Sequence, residues 1–375
     1  MYQHNDALSE LNNKKSLSEK LQSVHGVLKH LHDCIARIAV AVYDPKTDLI
    51  KTFIHSSGDT APLSHYQAKL SESHSLQEIV STRRSRVVND MSVFADGSQE
   101  HTRRIAQTGY GSSYTMPMFQ ENELFGFIFF NSFEKDVMKP ELLYHLDLFG
   151  HLIMLVVIND LNSVRTLLST IKAARDMTNF RDMETGSHLD RMSRFARLIA
   201  REIADKHGFD DEFIERIFRF SPLHDIGKIG VPDRILQKPA PLSDEEWVTM
   251  KTHAYKGREI IDTILADFGL GSAQHMNVLR NIAELHHETM DGSGYPHGLT
   301  GQQIPIEARI VAVADVFDAL TSKRPYKERW SNDDAFRMLD SLAGTRLDAD
   351  CVNALVSNRA EVERIQAQFD ESHYG

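Results

Sequence analysis

At Pro140 the spacing of apolar residues changes, and that change decides what the chain can fold into. Ahead of it, short apolar runs alternate with turn signals. IARIAVAVYD, from Ile35, is followed by DPKTD and LIKTFI, a pattern that predicts a β-hairpin. A second pair of strands is predicted at Ser113–Met118 and Leu124–Asn131, divided by QENE. Helices are predicted over Ser16–His32 and Ser75–Arg83. The alternation predicts an α+β domain built on an antiparallel sheet, from about Leu21 to Ser132.

After Pro140, Leu146, Phe149, Ile153, Val156, Leu161, Val164, Leu168 and Ile171 follow one another at helical spacing. They predict one long helix with a narrow apolar seam. A helix packed on its own domain would show a stripe too, but a bare connector would not need one so continuous. A parallel homodimer along the seam is therefore expected. Beyond Arg175 no strand pattern is found. Helices are predicted at Gly186–Gly208, Asp211–Ser221, Ser243–Phe268, Met276–His287, Ile306–Ser322 and Asp333–Ala343, with start signals at Ser243 and Ser331. The expected organisation is a sensor-like α+β domain (1–140), a connecting helix (141–175) and an all-α domain (176–375).

Composition narrows the function classes. A length of 375 residues suits two or three domains, and 41% hydrophobic with 25% charged residues suits soluble ones. A net charge of -11 argues against a duplex nucleic-acid binder. Cys34 and Cys351, far apart, are expected to be free thiols of a reducing compartment. The N-terminus is polar and unlike a signal peptide, and the longest apolar run, Leu152–Ile158, is too short to span a bilayer. No membrane span and a cytoplasmic location are expected.

Histidine is the unusual residue, with 19 copies, several set beside acids in the second half. Five segments there offer ligands for a divalent ion: Glu184 with His188, four apart on one helix face; His224-Asp225 in SPLHDIGKIGVPD; His253 in MKTHAYKG; His286-His287 in LHHETMDGSGYP; and Asp315 in ARIVAVADVFDAL. Mixed imidazole and carboxylate donors suit Fe, Mn or Zn better than Mg or Ca. Each residue alone has an ordinary explanation: a solvated helix acid, a surface histidine. Asp315 is the exception, since an acid in an apolar run is costly unless paired or metal-bound. Together, in one helical domain, they point to a metal cluster.

HDIGKIGVPDRIL followed by HHETMDGSGYPHGL, with IPIEARIVAVADVFDALTSKRPYK further on, resembles the HD-GYP family of metal-dependent phosphohydrolases, from about Arg175 to Val356. The resemblance implies an α-helical bundle, two or three divalent ions (Fe or Mn first), and hydrolysis of cyclic di-GMP or of the mixed guanine–adenine cyclic dinucleotide. It places metal ligands on His188, His224, Asp225, His253, His286, His287 and Asp315, with Glu184 similar to members that assemble three metals. Ala254 and Thr289-Met290 depart from the usual pattern without touching a ligand.

Close metal ions would supply the nucleophile, with Asp225 or Asp315 bridging them. Lys228 would face a phosphate oxygen. Arg324 and Lys327 would hold the second phosphate, Arg bidentately. Gly292, Gly294 and Gly298 would let the backbone approach a ligand or take positive φ. Tyr295 would stack on substrate or form a lip of the site. A catalytically silent cyclic-dinucleotide receptor and a mononucleotide phosphohydrolase are the other readings; no expected ligand is missing, and the GYP segment argues against the latter. YTMPMFQENELFGFIFFNSF resembles the strand–turn–strand of a GAF-type sensory domain, and nothing there names its ligand. His55, His65, His74 and His101 are scattered and expected at the surface.

Overall fold

The computed structural model describes residues 6–13, 15–57, 63, 65–94, 108–178, 186–270, 276–322 and 329–370, and side chains at 163, 167, 168 and 171–178 fall outside that description. The chain divides into two compact units, Met1–Ser163 with Asp210–Glu212, and Val164–Phe209 with Phe213–Gly375.

Unit 1 holds a six-stranded antiparallel sheet in the order β3-β2-β1-β6-β5-β4. Its strands are β1 (Arg37–Asp44), β2 (Leu49–Ser57), β3 (Gln67–Lys69), β4 (Arg86–Val88), β5 (Ser112–Gln120) and β6 (Glu123–Ser132). Both expected hairpins form, and they join through β1 and β6. The β5–β6 turn places Glu121 and Asn122 at positive φ, the geometry that matches the right-handed twist of the flanking strands. The edge strands β3 and β4 were not expected. At three residues each they are too short to show a period, and pairing with β2 and β5 defines them.

Alternation sorts the side chains between the two faces. Val40, Val42, Met116, Met118, Ile128 and Phe130 share one core with helices α1 (Leu17–Leu31) and α3 (Pro140–Thr178). Ala41, Ile50 and Phe127 point the other way, to α2 (His74–Thr82). Ser16 and Glu19 form the capping box that starts α1.

Helix α3 corrects part of the seam expectation. Leu146, Ile153 and Leu161 are buried in the sheet's own core, and Val164 lies in the core of unit 2. Leu168 and Ile171 lie outside the described side chains. A stripe at this spacing serves an intramolecular face as well as a dimer, which is why spacing alone misassigned it. The exposed apolar residues are instead Tyr144, Leu148 and Leu155. By length and composition, Pro140–Thr166 is also long and apolar enough to cross a membrane, which the run-length criterion did not register; 28% of that stretch is buried.

Unit 2 is all-α, as expected. Its helices are α4 (Gly186–Glu202), α5 (Ala204–His207), α6 (Asp211–Phe220), α7 (Asp233–Leu236), α8 (Asp244–Lys251), α9 (His253–Asp267), α10 (Asn277–Leu285), α11 (Ile306–Thr321), α12 (Asn332–Leu342), α13 (Ala349–Val356) and α14 (Arg359–Gln368). Phe195, Ile217, Ile261, Leu279, Val313 and Phe317 are fully buried at its centre. The single helix expected over Ser243–Phe268 is two, broken at Thr252. The last two helices were not expected. Asp348 starts α13 by accepting from the Asp350 and Cys351 amides. Both cysteines are free, Cys351 buried and Cys34 half-buried.

Candidate metal centre

Four of the proposed ligands sit at ends of elements rather than within them. His224 and Asp225 lie between two 3₁₀ turns (Ser221–Leu223 and Ile226–Gly230), His253 opens α9, and His286 closes α10. His188 is in the first turn of α4, and Asp315 is well inside α11. Local sequence brings them together. A Cβ on Gly227 would fall 1.8 Å from the His253 carbonyl oxygen, so only glycine lets the HDIGK turn press against the start of α9. That contact carries Asp225 Oδ1 to 3.2 Å from His253 Nε2.

Two clusters result. Asp225, His253, His286 and His287 bring their ligand atoms within 4.8 Å of one another, and so do His188, His224 and Asp315. The clusters adjoin, with His224 Nε2 3.1 Å from Asp225 Oδ2 and 3.9 Å from Asp315 Oδ1. His286 Nε2 is 3.7 Å from Asp225 Oδ1. Seven of the eight expected ligands therefore converge, and Glu184 lies outside the described residues.

The far nitrogen of each anchored ring explains the fit to a metal. The Nδ1–H of His224, His253 and His286 donates to the carbonyls of Ser221, Met250 and Ile282 at 2.9, 2.8 and 2.9 Å. Donation from Nδ1 leaves the lone pair of a neutral ring on Nε2, directed into the cluster. His253 Nε2, His286 Nε2 and Asp225 Oδ1 are buried and make no hydrogen bond. Orphaned acceptors at one point, from buried imidazoles and a carboxylate, are what a borderline divalent cation satisfies.

Ionisation agrees. Burial lowers the His253 pKa to about 4, and burial with the neighbouring His286 takes His287 well below its ordinary value. Both rings are neutral at pH 7 and need lose no proton to ligate. Burial pushes the Asp225 carboxyl up, but the charges around it, the Lys228 ammonium first, outweigh that and hold the group well below the carboxylate range.

Sequence reasoning missed the support behind His188. Its Nδ1–H donates to Asp318 Oδ2 at 2.6 Å, and Asp318 also accepts from Arg191 Nε at 2.7 Å and from Ser322 Oγ at 2.9 Å. Asp318 is fully buried. It lies three residues past Asp315 on the same helix face, the one signal that could have found it. Glu288 was also missed as a loop anchor: buried, it accepts from the His297 and Leu299 amides and ties down the GSGYPHGL loop.

The residues expected at the substrate divide. The Lys228 ammonium lies 2.8 Å from Asp225 Oδ2, at the cluster itself. The Tyr295 ring covers His287 at 4.7 Å between centroids and His253 at 6.2 Å, with Lys251 Nζ 5.4 Å from its centre. Gly294 is packed by protein: a Cβ there would meet the His287 carbonyl oxygen and the Thr289 nitrogen at 2.5 Å. Gly292 and Gly298 take positive φ. Arg324 and Lys327 lie outside the described residues.

Comparison with known proteins fits this geometry. Residues 183–351 match the HD domain family. Over 190 residues the chain is 45% identical to the cyclic di-GMP phosphodiesterase response regulator RpfG of Xanthomonas campestris, covering 51% of this chain and 47% of that protein. It is 39% identical to a cyclic di-GMP phosphodiesterase of Thermotoga maritima, with 56% and 55% covered, and 37% identical to 3'3'-cGAMP-specific phosphodiesterase 2 of Vibrio cholerae, with 51% and 34% covered. The chain spans about half the length or less of these curated relatives. Among solved structures, the GAF domain of an Acinetobacter phosphoenolpyruvate-protein phosphotransferase is similar at a TM-score of 0.32 and 13% identity, over 41% of this chain and 89% of that one.

Proposed function

We propose that the HD domain of this chain hydrolyses a phosphodiester bond of a cyclic dinucleotide, cyclic di-GMP or the mixed guanine–adenine form, to the linear dinucleotide. The observation that carries the reading is the adjoining pair of clusters, His224 in one and Asp225 in the other, with imidazole lone pairs fixed toward them. Divalent ions, Fe or Mn by donor set, would be held by Asp225, His253, His286 and His287 and by His188, His224 and Asp315, with Glu184 as the ligand of a third. When bound, such ions supply Lewis acidity toward phosphate oxygens and a nucleophile at neutral pH.

The protein's own groups bind and orient. Lys228 adds a fixed positive charge beside Asp225 where a phosphate oxygen would lie. Tyr295, whose hydroxyl is pushed up by burial, stays protonated and offers a ring face and a donor at the mouth of the site. Arg324 and Lys327, beyond the helix of Asp315, would hold the second phosphate, and Gly294 would keep the loop carrying Tyr295 close to His287.

Residues 1–140 would act as a sensor, 141–175 as the connecting helix and 176–375 as the enzyme, in a cytoplasmic homodimer. The dimer reading is supported by the exposed stripe of Tyr144, Leu148 and Leu155, with Leu152 half-exposed beside it. Leu148, Leu152, Leu155 and Asn159 follow the four–three–four spacing of a coiled-coil seam.

The test is turnover by anaerobically purified chain with its metals quantified, using both cyclic dinucleotides and chromatographic separation of products. The reading expects the linear dinucleotide from at least one of them, and loss of both turnover and bound metal in Asp225→Ala with the fold intact. Binding without turnover by fully metal-loaded protein would make it a receptor instead.

A further inference from the structure

The face of the sheet turned away from α1 and α3 carries a cavity of about 90 Å³. It belongs to unit 1 and is independent of the phosphodiesterase reading. Strand alternation puts Arg37, Ala39 and Ala41 of β1 on its wall, with Phe129 and Asn131 of β6 and Ser113 of β5. Two alanines in a row on one face leave volume. The arginine in line with them stands where such a wall ordinarily places an apolar side chain.

Arg37 is 3% exposed. Its Nη1 donates one long hydrogen bond, 3.4 Å, to Asn131 Oδ1, and its Nε donates none. Arg86 of β4 also lines the cavity, its Nη2 donating to Thr115 Oγ1 at 3.2 Å and its Nε to nothing. The Ser73 hydroxyl, buried on the same wall, is a third group with no hydrogen bond. Among the described residues no carboxylate forms an ion pair with either arginine. Of the acids near them, Asp211 is bound to His65, and Glu78 on α2 raises the Arg86 pKa only through space, without an ion pair. Burial pulls both guanidinium pKa values down.

A buried, unpaired guanidinium is among the costlier features a domain can hold. Arg37 is one, and the half-buried Arg86 borders the same cavity on a strand three positions away in the sheet, roughly 14 Å between main chains at ordinary strand spacing. Phe94, Phe129 and Tyr110 supply aromatic wall between them, and Arg86 lies 5.7 Å from the Phe94 ring centre. Orphaned cationic donors set in apolar walls describe a complementary ligand: an anionic head on an apolar body.

We propose that this cavity binds a small organic carboxylate with an aromatic or branched apolar body, its carboxylate held by Arg37 and its body packed against Phe129, Tyr110 and Phe94. Carboxylate matches a guanidinium fork in plane and charge. Phosphate monoesters share the charge, and the test separates the two.

Calorimetry on the full chain compares benzoate, its neutral isostere benzamide, and phenyl phosphate. A probe of about nine heavy atoms at ordinary ligand efficiency binds in the range of about 0.1–10 mM. The expected result is one benzoate per chain, with benzamide and phenyl phosphate each weaker by about tenfold or more, and a similar loss for benzoate in Arg37→Met. Without ligand, Arg37→Met should unfold at the same or a higher urea concentration than wild type, because it removes an unpaired buried charge. Equal binding of benzamide, undiminished benzoate binding in Arg37→Met, or no benzoate binding over that range would overturn the proposal. So would tighter binding of phenyl phosphate, or marked destabilisation of ligand-free Arg37→Met, which would make Arg37 a structural residue.

Discussion

Asp318 offers the sharpest separation of metal binding from folding, because it touches the proposed centre only through His188. In Asp318→Asn the amide oxygen does best at the Oδ2 position, where it keeps the donors of His188 and Ser322. The NH2 then faces Arg191 Nε, which now donates to Asp318 Oδ1 at 2.7 Å, and the buried cation loses its counter-charge. Breaking one side of a buried pair costs about 3–5 kcal/mol. Arg191 keeps the Phe369 carbonyl at 2.9 Å and Ser322 Oγ at 2.6 Å, so the lower end, about 3 kcal/mol, is expected. The ring of His188 also loses the carboxylate that raises its basicity, which typically weakens a metal site by about 10–100-fold, or about 1.4–2.7 kcal/mol.

A bound metal would itself stabilise the fold, so urea unfolding must be run in chelator and metal affinity measured separately, by competition with a chelator of known affinity. The double variant Arg191→Met/Asp318→Leu should recover much of the stability, since apolar replacement of a buried pair is near neutral. It should not recover metal affinity, because His188 Nδ1 has then lost its acceptor. Asp318→Asn with unchanged chelator-phase stability and unchanged affinity would mean that Asp318 supports neither the fold nor the metal centre. A double variant that regains both would refute the reasoning as well.

Gly227→Ala drives a Cβ into the His253 carbonyl and should cost about 1–3 kcal/mol or more while lowering metal content, read by urea unfolding and elemental analysis. Leu148→Glu with Leu155→Glu should give monomers by light scattering while the fold holds, whereas Ile153→Glu, in the sheet core, should unfold unit 1; a wild-type monomer at micromolar concentration would end the dimer reading. The Asp348 carboxyl is pushed up by burial but held lower overall by the Cys351 amide and by Arg309, with Nη1 at 2.7 Å. A depressed folded pKa means its contribution is complete above the unfolded value of about 3.9 and is lost as pH falls through the folded one. Asp348→Asn should therefore destabilise the chain at pH 7 and flatten its acid denaturation below about pH 4, measured as urea midpoint against pH.

The residues of the two clusters were legible because each lies in a short segment whose neighbours betray it. His224-Asp225 is followed by Gly227, which must be glycine to meet α9, and His286-His287 is followed by Gly294, which must be glycine to close the loop on their backbone. Asp315 stood out as an acid in an apolar run. Asp318 did not, because its partners His188 and Arg191 are 130 and 127 residues away, and no local pattern announces a long-range pair. Hairpins with full-length strands were equally legible, while β3 and β4 exist only through what they pair with.

The seam reading went astray for one reason: period says which residues share a face, not what that face meets. On α3 the same spacing served the sheet core, and the surface left over carries Tyr144, Leu148 and Leu155. On β1 the alternation puts Arg37, Ala39 and Ala41 on one face, and again it does not say what that face meets. Only the tertiary structure turns Arg37 inward, where it is buried and, among the described residues, forms no ion pair with a carboxylate. Physically the cases are one. A buried polar group set in a recognisable local motif can be inferred from the chain, and one whose partner is distant in sequence, or is a molecule that no motif announces, cannot. His253, Asp318 and Arg37 run through that series in order, from a metal expected on motif, through a protein partner found in the fold, to a ligand inferred from the donors that lack one.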